Sequence, residues 1–97
     1  MSMIPSVIQA VPMPQQVVKT FFLDGRVVLY DMKPLIHKGG VFKRLEDERF
    51  FRQVTVMNDT IAWDLSGTYD PTNCIDVDPC EVYSAGTQET AENTTRE

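Results

Sequence analysis

The pair Asp24-Gly25 constrains this chain more than any other feature. It separates two runs rich in Val, Thr, Phe and Tyr: Gln16 to Leu23 and Arg26 to Met32. An Asp-Gly step between β-formers reads as a tight hairpin, because both turn positions tolerate positive φ. A two-residue turn sets the register: Leu23 faces Arg26, Phe22 faces Val27 and Thr20 faces Leu29. One face then carries Val18, Thr20, Phe22, Val27 and Leu29, and the other Val17, Phe21, Leu23, Val28, Tyr30 and Met32. Both are apolar, so neither is expected to be fully wet. A helix can cover one. The second, from Val17 to Met32, needs a terminal segment or another subunit, and is the candidate interaction surface.

A second hairpin follows at Val54 to Met57 and Thr60 to Trp63, turning at Asn58-Asp59. Val54, Val56, Ile61 and Trp63 share one of its faces, with Thr55, Met57, Thr60 and Ala62 on the other. Trp63, Ile61, Val56, Phe42 and Leu45 are expected in one core cluster. Pro5 to Val11 is a short strand stopped by Pro12 and Pro14. Pro34 to Lys38 fits a helical turn ended by Gly39-Gly40. Val41 to Gln53 reads as two short helices with a break near Glu46, Asp47 capping the second. After Trp63 a long loop, a short edge strand from Cys74 to Val77 and a turn capped by Asp78-Pro79 are expected. The expected architecture is α+β: one antiparallel sheet of two hairpins plus an N-terminal strand, with one or two short helices between the hairpins. A single domain covers 1–84, and the polar stretch 85–97 reads as a disordered tail.

The longest apolar run, Val27 to Tyr30, is far too short for a bilayer-spanning helix of about 20 residues. No secretory leader is read at the start, so a cytoplasmic location is expected. The net charge of −5 is unevenly placed. Basic residues concentrate between 33 and 52, where Lys38, Lys43, Arg44, Arg49 and Arg52 form a candidate nucleic-acid patch. Glu46, Asp47 and Glu48 interleave with them, so a solvated helical face is the simpler reading.

Chemistry-bearing sets are sparse. Cys74 and Cys80 lack the paired spacing and His partners of a zinc site, and no calcium loop is complete. Reduced thiols, no metal and no cofactor are expected. His37 is the only histidine and has no nucleophile beside it in sequence. Gly39-Gly40 lies in no phosphate-loop motif. No catalytic residues are expected.

The ordered motifs do carry a resemblance. They read Phe22-Leu23-Asp24-Gly25, Tyr30-Asp31-Met32-Lys33-Pro34-Leu35, Gly40-Val41-Phe42-Lys43-Arg44-Leu45, Asp47 with Phe50-Phe51, Trp63, Asp76-Val77-Asp78-Pro79 and Tyr83. Over residues about 5–83 this set resembles the small bacterial family called domain of unknown function 2442. The loop after Trp63 is longer than in many members. The resemblance implies an α+β fold with a short helical insertion and no established activity. It also implies a setting beside another small gene, like a toxin–antitoxin pair. Some members carry a helix-turn-helix domain after this one. The expected function is therefore protein interaction, as an antitoxin-like partner of a small protein encoded nearby or as a homodimer. The alternative is a nucleic-acid-binding regulator using segment 33–52.

Overall fold

The computed structural model describes residues 4–89. Two antiparallel sheets pack around short helices, which makes the fold α+β. The first half builds β1 (Val7–Met13), β2 (Val17–Phe22) and β3 (Val27–Asp31). Then come α1 (Lys33–Lys38), a tighter 3-10 stretch at Gly40–Glu46 and α2 (Glu48–Phe51). The second half builds β4 (Thr55–Met57), β5 (Thr60–Asp64), β6 (Cys74–Asp76), α3 (Pro79–Ala85) and β7 (Thr87–Glu89). The sheet orders are β1-β2-β3-β7 and β4-β5-β6. The two hairpins thus belong to separate sheets, where the sequence suggested one. A backbone bond from Val7 N–H to the Asp59 carbonyl, 2.9 Å long, joins them.

The helices begin where side chains can satisfy free N–H groups. Asp47 accepts from the Arg49 N–H at the start of α2, and Asp78 from the Cys80 N–H at the start of α3. Pro34 and Pro79 occupy first-turn positions, where a missing N–H costs nothing. Gly39, at φ 88°, ends α1 in a conformation open to glycine.

The second hairpin turns at Asn58 and Asp59, both left-handed (φ 57° and 63°), and pairs Thr55 with Ala62, Val56 with Ile61 and Met57 with Thr60. That is the two-residue turn and register the sequence implies.

The first hairpin departs by one residue. Only Gly25 (φ 97°) is left-handed in its turn. The loop is three residues long: Phe22 N–H donates to the Arg26 carbonyl, and Gly25 N–H to that of Phe22, each 2.9 Å. Asp24 accepts from the Arg26 N–H and holds a local turn without entering the left-handed region. Phe21 therefore pairs with Val27, Lys19 with Leu29 and Val17 with Asp31. A one-residue slip exchanges the faces of one strand against the other. The surface expected from Val17, Phe21, Leu23, Val28, Tyr30 and Met32 is consequently split between two faces.

Two other segments run further than expected. β1 continues through Pro12 to Met13, and Pro12 pairs with Val18 on an edge strand, where a proline is tolerated. The stretch assigned to a tail from residue 85 is ordered at its start. β7 pairs Thr87 with Leu29, Gln88 with Val28 and the Glu89 backbone with Val27. Backbone bonds hold it rather than an apolar pattern, so no periodicity announced it. Gly86 makes this possible: a Cβ there would lie 2.1 Å from Cγ1 of Val28. Residues 90–97 lie outside the described residues.

One core unites the elements. Val18, Phe22, Val28 and Tyr30 of the first sheet, with Met32 just after it, meet Ile36, Leu45 and Phe51 of the helices, Ile61, Trp63 and Ile75 of the second sheet, and Val82 of α3. Phe42 and Val56 pack against this cluster, as their expected grouping with Trp63 requires. The Trp63 indole N–H donates to the Phe51 carbonyl at 2.8 Å, tying β5 to α2.

Candidate interaction surface

The register of β2 and β3 decides which side chains are free to act. Val18, Thr20 and Phe22 point into the core with Val28, Tyr30 and Met32. Of the expected surface, Val28, Tyr30 and Met32 are thus buried in the protein's own core. Val17 and Phe21 project on the opposite side, and Leu23 stands exposed in the turn.

The opposite, outer face is built in rows across the strands. Phe21 lies beside Val27, Lys19 beside Leu29, and Val17 beside Asp31. β1 adds Val11 next to Lys19 and Met13 next to Val17. Val11, Met13, Val17, Phe21, Val27 and Leu29 are each half-buried. Among the described residues, none of them belongs to the core cluster or packs against it. An apolar sheet face normally buries itself against a second layer. Among the described side chains, Lys19 and Asp31 are the charges on this face. Lys19 lies over the Phe21 ring at 5.6 Å, and Asp31 is 3.0 Å from the Lys33 ammonium.

A second feature lies at the first turn. A cavity of about 480 Å³ is lined by Ile4, Pro5, Ser6, Phe22, Leu23, Asp24 and Tyr83. The Tyr83 hydroxyl donates to Asp24 at 2.6 Å, its ring meets Phe22 edge-on at 5.0 Å, and the Arg26 guanidinium lies 4.5 Å from it. The Tyr83 bond holds the Asp24 carboxyl below the ordinary range, with help from the Arg26 N–H. The same bond pushes the Tyr83 hydroxyl up. These contacts pin α3 to the turn, which accounts for the Asp24 and Tyr83 motif positions structurally.

The basic candidates do not form a uniform field. Lys43 lies 3.5 Å from Glu46, Arg52 lies 4.0 Å from Glu48, and Arg44 stacks on Phe50 at 4.7 Å. Arg49 follows Asp47 in the α2 cap, and Lys38 ends α1 beside a cavity that also holds Asp31 and Glu81. A mixed-charge surface attracts phosphate weakly compared with a basic stripe.

Neither thiol is in a disulfide; Cys74 is half-buried and donates to the Pro71 carbonyl at 3.7 Å, and Cys80 is exposed. Burial, then the nearby Asp76, Asp64 and Asp70, push the Cys74 thiol up and make it a poor nucleophile. His37 is exposed on α1. Among the described residues no group of three or more His, Cys, Asp or Glu could hold a metal ion. None of their helices is long and apolar enough to cross a membrane.

Sequence reasoning missed Val11, Met13, Val27 and Leu29 as surface residues. A signal was present: placing Lys19 and Asp31 on one face selects the observed register.

Fold and surface define a small α+β protein in which, among the described residues, no second layer covers one apolar face of the principal sheet. The chain belongs to the family of proteins of unknown function DUF2442, which it matches over residues 7–87. No curated protein and no solved structure matches it.

Proposed function

We propose that this chain is a protein-interaction module that works by binding another protein through the outer face of the β1-β2-β3-β7 sheet, and that it performs no catalysis of its own. The observation that carries this reading is the row of Val11, Met13, Val17, Phe21, Val27 and Leu29, which join no core among the described residues. Apolar patches of this kind on small proteins mark interaction sites. The family resemblance supports a finer version: a cytoplasmic, antitoxin-like half of a two-gene pair.

Co-expression with the product of the adjacent gene tests it. Co-purification as a defined complex is expected, with loss of the complex in Phe21→Glu and Val27→Glu while the fold persists by circular dichroism. A chain that ignores its neighbour, or one whose complex survives both substitutions, overturns the reading.

A further inference from the structure

We propose that α3 and β7 form a releasable strap over β3, and that an extended segment of the partner protein, apolar at alternate positions, takes the place of β7 in the sheet. This rests on the protein-binding reading above and names the part of the partner that binds.

The backbone ladder shows what β7 covers. In an antiparallel sheet successive residues bond to opposite neighbours. The Phe22 N–H donates to the Arg26 carbonyl across the first turn, so Val28 and Tyr30 turn their backbone groups to β2. Val27 and Leu29 turn theirs the other way, to Glu89 and Thr87. Lifting β7 bares the N–H and C=O groups of Val27 and Leu29. Such a free edge is a template for another strand, in which main-chain bonds give affinity and alternate side chains give specificity.

Among the described residues the strap is lightly anchored. β7 is three residues long, and its Thr87 and Gln88 side chains are exposed. Of the α3 side chains only Val82 is buried. Tyr83 is half-buried and holds the first turn through its bond to Asp24, and Glu81 faces the Tyr30 hydroxyl. β2, by contrast, buries Val18, Thr20 and Phe22. Segments with few buried apolar contacts open at lower cost than the fold as a whole. The root of the strap is firm: Val77 is buried, and its carbonyl accepts from the Thr60 hydroxyl. The hinge therefore falls just beyond it, at Asp78.

The outer face states what the replacement should carry. The row of Phe21 and Val27 ends at position 89, a glutamate, and the row of Lys19 and Leu29 ends at position 87, a threonine. A partner strand with apolar residues at these two positions keeps the backbone bonds and adds apolar contacts beside Val27 and Leu29. β7 supplies the bonds alone, which gives the partner strand its advantage.

Amide hydrogen exchange followed by NMR on the whole chain tests the strap. Corrected for intrinsic rates, Val27 and Leu29 are expected to exchange at least about tenfold faster than Val28 and Tyr30. Tyr83→Phe should speed Val27 and Leu29 by a further threefold to tenfold, roughly the worth of one hydrogen bond, and leave Val28 and Tyr30 unchanged. Matching rates at all four amides, or equal acceleration of all four by Tyr83→Phe, would mean that the strap opens only with the whole fold, and would overturn the proposal. The complex with the adjacent gene product tests the replacement. On binding, the Thr87 and Glu89 amides should lose protection while Val27 and Leu29 gain it. A complex that leaves Thr87 and Glu89 protected overturns the replacement and leaves the protein-binding reading standing. If no complex forms, both fall.

Discussion

Replacing Trp63 probes the junction on which the whole arrangement depends. Its side chain is fully buried, its indole N–H is bonded to the Phe51 carbonyl at 2.8 Å, and its ring centroid lies 5.8 Å from that of Phe51. Trp63→Ala empties a large aromatic site and should cost about 3–5 kcal/mol. That is a large share of the roughly 5–15 kcal/mol expected for a small domain, so a milder variant is needed beside it. Trp63→Phe keeps a ring but removes the N–H. The Phe51 carbonyl retains a bond from the Val54 N–H at 3.2 Å, so it is not orphaned. The lost bond then contributes about 1 kcal/mol, and the smaller ring adds about 1–2 kcal/mol. Urea unfolding followed by circular dichroism reads both changes, provided the slope of the transition is unchanged. A loss below roughly 1 kcal/mol for Trp63→Ala would refute the core assignment and return Trp63 to the surface, where it would be open to stacking.

Gly86→Ala should destabilise by about 1–3 kcal/mol, because the added methyl would lie 2.1 Å from Cγ1 of Val28 and must displace it or β7. Urea unfolding of that variant within 0.5 kcal/mol (about the scatter for neutral surface changes) of wild type would show that α3 and β7 are not seated on Val28. Acid should also lower the stability of the protein. Asp24, Asp64 and Asp70 titrate below the ordinary range, held down first by bonds from the Tyr83 hydroxyl, the Ser66 hydroxyl and the Thr72 N–H respectively. A depressed carboxyl stabilises the fold above its unfolded pKa of about 4, and that contribution is lost as pH falls through the lower folded value. Tyr83→Phe should raise the Asp24 midpoint in a carboxyl NMR titration, and an unmoved midpoint would disprove the coupling.

Much of the fold was legible because local chemistry determined it. Asn58 and Asp59 can both turn left-handed, so a two-residue turn and its register follow from the pair alone. Asp47 and Asp78 announced helix starts through their capping side chains. β7 was illegible for the opposite reason. Its Thr-Gln-Glu sequence has no apolar period, and it is held by a backbone ladder that any residue except proline can supply. The small gap left by Gly86 is a tertiary fact, and nothing in its immediate neighbours in sequence encodes it.

The first hairpin shows why the candidate surface was only half visible. Val17, Val18, Phe21 and Phe22 come as adjacent apolar pairs, and so do Val27 and Val28. Doubled residues put an apolar side chain on each face whichever register is chosen, so the hydrophobic pattern cannot separate a two-residue turn from a three-residue one. Asp-Gly is compatible with both, since only the glycine must be left-handed in the longer loop. The deciding information lay in the polar residues. Lys19 and Asp31 avoid burial, and one face can hold both only when Lys19 pairs with Leu29 and Val17 with Asp31. In the shorter turn they fall on opposite faces, and one charge would enter the core beside Phe22 or Tyr30. The cost of burying that charge therefore selects the register. By doing so it directs Phe21, Val27 and Leu29 outward, and places a lysine and an aspartate on the same face.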